Sequence, residues 1–119
     1  MTMKAYLYNK CGTCQKAKKW LEKEGISFEE IPIVEQPPTK EELRQIWQQS
    51  GLDIKKMFNT SGQVYREQGV KDKLPGMSED EMLELLATDG KLIKRPILTD
   101  GKKATVGFKE DNMQDVWGK

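Results

Sequence analysis

The chain has 119 residues, of which 20 are Lys or Arg and 19 Asp or Glu, for a formal net charge of +1. A chain of this size is one ordinary domain that buries about two-thirds of its unfolded surface, so it requires neither disulfide staples nor a structural metal. The charge balance excludes the global positive field of a nucleic-acid binder, and no apolar run approaches the roughly 18 residues of a membrane span.

The first elements alternate. Met3 to Tyr8 is rich in aromatic and apolar residues and reads as a strand. From Gly12 to Glu24 the period changes: Ala17, Trp20 and Leu21 fall on one helical face, and Lys16, Lys19, Glu22 and Lys23 on the other. Gly25 stands where a helix ends, and Ile26-Ser27-Phe28 begins a second strand that Pro32 helps to stop. Strand, helix and strand within about thirty residues predict a parallel pair with a right-handed crossover.

Pro37-Pro38 breaks the pattern. Thr39-Lys40-Glu41-Glu42 has the form of a capping box ahead of a helix carrying Leu43, Ile46 and Trp47 and ending at Gly51. Short helical pieces are expected around Ile54–Phe58 and Val64–Gln68. Ser78-Glu79-Asp80-Glu81 is a second capping box, leading into a helix with Met82, Leu85 and Leu86 and a stop near Gly90. Ile97-Leu98-Thr99 and Ala104-Thr105-Val106 flank Asp100-Gly101 as a hairpin. A last helix from Lys109 to Trp117 turns Met113, Val116 and Trp117 inward. The fold class is α/β, a four-stranded mixed sheet flanked by helices. A helical insertion, approximately residues 38–91, separates a βαβ half from a ββα half within one domain spanning 1–119.

The chemistry concentrates in Cys11-Gly12-Thr13-Cys14, at the junction of the first strand and helix. Thiols three residues apart lie on one side of a first helical turn, within the Cα separation of about 4.4–6.8 Å that a disulfide needs. Cys11, at the helix N-terminus, meets unpaired N–H groups and the positive end of the dipole, which favour a thiolate and pull its pKa below about 8.5. Gly12 and Thr13 are small and leave that sulfur accessible. Cys14, one turn further in, is the resolving thiol, attacking an adduct formed on Cys11. With two Cys and no His, a full zinc site is short of ligands. Half a zinc site shared with another chain, and a pair of unreactive cysteines, are the alternatives. Arg95-Pro96 precedes the third strand, where a cis bond is tolerated. From there Arg95 can face the thiolate or an oxyanion, or simply point into solvent. Lys55-Lys56 and Lys102-Lys103 read as solvated, and Trp20, Trp47 and Trp117 as core. No glycine-rich phosphate loop or metal-ligand cluster is visible, and no bound cofactor is expected. The Met-Thr-Met-Lys start lacks a signal peptide's apolar region, so a cytoplasmic location is expected; a monomer is a separate expectation.

Taken in order, Leu7-Tyr8, Cys11-Gly12-Thr13-Cys14, Glu35 through Leu43, Arg95-Pro96-Ile97 and Val106 through Asp111 resemble one family. It is the thioredoxin-fold family of glutaredoxin-coupled arsenate reductases and Spx-type regulators. The resemblance implies a thioredoxin-like core and a cis peptide before Pro96. It implies a small oxyanion or disulfide as substrate, with glutathione or another low-molecular-weight thiol, a glutaredoxin or a thioredoxin as electron donor. In the reductases the cysteine matching Cys11 attacks the oxyanion, which three arginines hold. Here Arg95 matches one, while Asn59 and Phe108 stand at the other two positions. Each lost charge-assisted contact is worth about 1.5–3 kcal/mol, which weakens arsenate binding. Cys14 replaces the reductases' usual serine. The regulators share the C-x-x-C pair and an Arg at the Arg95 position, and they bind the RNA polymerase α-subunit, with Gly51 near the family's contact glycine. They continue into a basic tail, whereas this chain ends at Gly118-Lys119, so the oxidoreductase is the leading expectation and direct nucleic-acid binding is not expected.

Overall fold

The computed structural model describes residues 3–8, 12–60 and 62–118. Strand β1 (Met3–Leu7), helix α1 (Gly12–Lys23) and strand β2 (Phe28–Pro32) form the first half. Helix α2 (Lys40–Ser50), the short helices α3 (Gln63–Glu67) and α4 (Val70–Lys73), and helix α5 (Glu79–Thr88) follow. Strands β3 (Ile97–Thr99) and β4 (Ala104–Val106) and helix α6 (Glu110–Trp117) close the chain. The sheet order is β2-β1-β3-β4. β1 is parallel to β2 with Tyr6 opposite Ile31, and antiparallel to β3 with Ala5 opposite Leu98.

Alternation along β1 assigns the helices to faces. Successive strand side chains point to opposite sides, so Met3, Ala5 and Leu7 join one apolar cluster and Tyr6 joins another. The first cluster collects Cys14, Trp20 and Leu21 from α1, and Met113 and Trp117 from α6. The second collects Leu43 and Ile46 from α2, Met82, Leu83 and Leu86 from α5, and Phe58 and Tyr65 from the insertion. On α5, Met82, Leu83 and Leu86 are buried, and Leu85 is half-buried against the same cluster. Its apolar stripe packs on α2.

Both capping boxes form. Thr39 accepts from the Glu42 amide while Glu42 accepts from the Thr39 amide, and Ser78 and Glu81 repeat the exchange. Helix α2 ends at Gly51 in the left-handed conformation, with its N–H on the Trp47 carbonyl. On the far side of α5, a Cβ at Gly90 would collide with the Ile33 backbone carbonyl, so this close approach of two chain segments excludes any side chain. Lys103 is not merely solvated. Its Nζ donates to the Val116 carbonyl at 2.7 Å and lies 5.0 Å from the Trp117 ring centroid, which closes the C-terminal end of α6.

Candidate functional site

Cys11 lies outside the described residues, so the site is built from its neighbours on either side. Gly12 and Thr13 open α1 and are exposed, and a Cβ at Gly12 would meet nothing within 4 Å. Cys14 is 1 % exposed, packed between β1 and α1 in the cluster that holds Leu7 and Leu21. Its Sγ accepts a hydrogen bond from the Tyr8 backbone N–H at 3.4 Å, so the last described residue before the cysteine motif is tied to that motif's second sulfur.

The Arg95–Pro96 peptide is cis, as the resemblance implied. The Arg95 guanidinium carbon lies 4.6 Å from the centroid of the Tyr8 ring, a stacked cation–π arrangement. Arg95 Nε and Nη1 are buried with no hydrogen-bond partner among the described residues. A buried donor left unpaired is costly, about 1–3 kcal/mol or more when charged, so an acceptor placed against this fork would be stabilised there. The structure thus brings Cys14, Tyr8, Arg95 and Pro96 together. Tyr8 was the component not singled out; its place at the end of β1, directly before the motif, was the available signal.

Arg95 is held from behind by long-range backbone bonds. The Lys94 N–H donates to the Met57 carbonyl and the Asn59 N–H to the Leu92 carbonyl, each at 2.8 Å, around an isolated antiparallel bridge between Phe58 and Ile93. The insertion is therefore stitched to the segment that leads into the cis peptide. On the other side, the Gly107 N–H donates to the Pro96 carbonyl at 2.8 Å. Gly107 has φ +84°, which side chains rarely adopt, and the Lys94 methylenes cover the place where a Cβ would project.

These segments enclose a cleft of about 760 Å³ with Thr13 at one edge. The insertion contributes Lys55, Lys56, Asn59 and Thr60; the strand-leading segment contributes Lys94 and Arg95; the β4–α6 connection contributes Phe108, Lys109 and Asn112. No Asp or Glu lines it among the described residues. Asn59 and Phe108 offer it an amide and a phenyl ring. Lys55 and Lys56, read from the sequence as simply solvated, are exposed but sit on this cleft. A second cavity, of about 360 Å³, lies on the α2 face of the sheet. There Tyr6 Oη donates to Glu42 and Thr99 to Gln49, so its polar side chains largely satisfy one another. Burial, reinforced by the Glu42 carboxylate, pushes the Tyr6 hydroxyl up to about 12. The Thr39 amide in turn holds Glu42 below the usual carboxylate range, against its own partial burial.

A four-stranded mixed sheet with a C-x-x-C motif after β1 and a cis-proline before β3 defines a thioredoxin-like protein. The sequence pattern of the ArsC family matches residues 6–116, and the chain belongs to that family. It is 62 % identical over 117 residues to the uncharacterized protein YusI of Bacillus subtilis (strain 168), covering 98 % of this chain and 99 % of that one. It is 35 % identical over 103 residues to the regulatory protein MgsR of the same organism, covering 87 % of this chain and 80 % of MgsR. The crystal structure of a putative ArsC family related protein from Bacteroides fragilis superposes with a TM-score of 0.93 at 46 % identity, covering 97 % of each chain. Among the described residues no helix is long and apolar enough to cross a membrane.

Proposed function

We propose that the chain is a thiol-dependent oxidoreductase in which Cys11 is the nucleophile, Cys14 the resolving thiol and Arg95 the partner of the thiolate or of the anion it attacks. The observation that carries this reading is the Arg95 fork, stacked on Tyr8 with buried Nε and Nη1 atoms that no described residue satisfies. The Cys11 thiolate attacks a disulfide sulfur, the S–S bond breaks, and one thiolate leaves. Cys14 then attacks Cys11 Sγ, releases the second thiol, and leaves a Cys11–Cys14 disulfide for an external thiol to reduce. Arsenate reduction is the family's label; with Asn59 and Phe108 in place of arginines, disulfide reduction is the favoured reaction. The test follows arsenate and disulfide reduction with glutathione, adding a glutaredoxin or a thioredoxin. Disulfide turnover that disappears in Cys11→Ser supports the assignment. No turnover of either substrate, with Cys11→Ser indistinguishable from the parent, removes it.

The match to a protein named as regulatory, MgsR, favours a second reading, for which we propose the Spx-type form: a redox-responsive regulator that binds the RNA polymerase α-subunit near the exposed Gly51. It requires a complex with the isolated α-subunit whose affinity changes on oxidation of the thiols. Absence of the complex in both redox states rejects it.

A further inference from the structure

We propose that the cavity beside α2 binds a free α-amino acid with an apolar side chain, its carboxylate on Lys4 and its ammonium on Glu42. The site shares no lining residue with the cleft beside Arg95, so it stands apart from the thiol chemistry.

The cavity is built where two periodicities meet. Side chains two apart on a strand share a face, which puts both Lys4 and Tyr6 of β1 on its wall. Glu42, Gln45, Ile46 and Gln49 recur at helical spacing along α2 and form another wall. Tyr6 and Ile46 are buried and give the cavity an apolar floor. Its volume, about 360 Å³, is at the small end of the roughly 300–1,000 Å³ of ligand pockets, which suits a compact molecule.

The polar groups decide the class. Several are already committed. Gln49 donates to the Gly101 carbonyl and accepts from Thr99, and Asp100 accepts from the Lys102 and Lys103 amides of its own turn. Others have capacity left. Lys4 takes part in no ion pair among the described residues. Glu42 Oε1 is taken by the Thr39 amide, but Oε2 meets the Tyr6 hydroxyl at 3.3 Å, and a carboxylate oxygen has room for a second donor. The Thr39 amide, and to a lesser degree the Lys4 charge, hold Glu42 below the usual carboxylate range, so both charges are present at neutral pH.

The lining therefore offers an ammonium and a carboxylate, not paired with each other, beside an apolar floor. A ligand with a single charge would satisfy one of them and leave the other. An α-amino acid carries both charges on one carbon and projects its side chain onto Tyr6 and Ile46. The Gln45 amide, at an exposed position on the wall, both donates and accepts and can bond either charged end.

The test follows the backbone amide signals of the full chain as L-phenylalanine, phenethylamine, 3-phenylpropionate or glycine is added. The three analogues lack the carboxylate, the ammonium and the side chain respectively. L-Phenylalanine is expected to move the signals of Gln45, Ile46, Gln49 and Gly101 and to leave those of Asn59 and Gly107 in place. Each analogue should bind at least roughly tenfold more weakly, since each gives up a charge-assisted contact or the apolar one. Two substitutions assign the ends. Lys4→Gln, at an exposed position, should weaken L-phenylalanine about tenfold without weakening phenethylamine. Glu42→Gln preserves the capping box, where Gln also serves, and should weaken L-phenylalanine to a similar degree without weakening 3-phenylpropionate. Lys55→Gln, in the other cleft, should change neither affinity.

The proposal is overturned if L-phenylalanine at about 10 mM moves none of the four cavity amides, since that concentration reveals even millimolar binding. It is overturned equally if any analogue binds as tightly as L-phenylalanine, or if the affinity for L-phenylalanine is indifferent to both Lys4→Gln and Glu42→Gln.

Discussion

Tyr8 donates its backbone N–H to the Cys14 sulfur and lends its ring face to the Arg95 guanidinium, and these two roles separate by substitution. Tyr8→Leu keeps the N–H and loses the ring, so the cost should fall on Arg95 orientation. A cation–π contact worth about 0.5–2 kcal/mol corresponds to a rate loss of roughly 2- to 30-fold in disulfide reduction. Tyr8→Phe should stay close to the parent. Arg95→Ala removes the fork itself; hydrogen bonds to charged groups are worth about 1.5–3 kcal/mol, or roughly a tenfold to hundredfold rate loss. If Arg95 faces the thiolate, the pH profile of iodoacetamide alkylation at Cys11 should also shift upward. An unchanged profile with an unchanged rate would remove Arg95 from the site. In the cavity beside α2, Tyr6 makes a pH prediction. Its folded-state value of about 12 exceeds its ordinary value of 10.0, so the fold favours the neutral phenol. That contribution is fully present below pH 10 and is lost as pH rises toward 12. Urea midpoints measured across this window should fall in the parent and fall less in Tyr6→Phe.

Elements whose signals are local were legible from the sequence, and those held by distant partners were not. Thr39 and Ser78 cap α2 and α5 because the residue three positions on supplies the reciprocal carboxylate, and that pairing is written in four consecutive letters. Thr39→Ala should therefore cost about 1 kcal/mol in chemical denaturation, with the slope of the transition unchanged. The hairpin of β3 and β4 was equally readable, since Asp100 accepts from both the Lys102 and Lys103 amides in the turn. The insertion was weaker text. Helices α3 and α4 have five and four residues, too short to show a period and too short to be stable alone. The role of Gly90 was invisible for a different reason. Its neighbour is the Ile33 backbone, far away in sequence, so it read only as a helix stop. Gly90→Ala must displace backbone rather than a flexible side chain, and should lower stability by more than Thr39→Ala does. An Ala at that position with a parental melting temperature would contradict the close approach of the turn after α5 to the Ile33 backbone.

At the scale of the molecule, the site is a meeting of parts that the sequence keeps far apart. Cys14 and Arg95 could be nominated from the sequence because each carries a local mark, a C-x-x-C spacing and an Arg-Pro step before a strand. The cleft lysines carry no such mark. Lys55 and Lys94 reach one cavity because Met57 and Asn59 bond to Lys94 and Leu92 across the Phe58–Ile93 bridge, a long-range pairing that no window of residues discloses. This bridge joins the cleft's insertion side to the Arg95 side, so the two should open together. Native-state hydrogen exchange reads such units directly. The amides of Ala5 and Leu98, in the central strand pair, should exchange only through global unfolding. Those of α3 and α4 should exchange through local opening, because their helices are short and much of their surface is exposed. The decisive amides are Asn59 and Lys94. If the insertion is clamped to the Arg95 segment, these two should share one opening free energy, well above that of α3 and α4 and lowered in parallel by Phe58→Ala. Should they instead exchange as fast as α3 and α4, the insertion opens independently of Arg95. The geometry that places Lys55 and Lys56 beside the thiol motif would then not be a standing property of the fold.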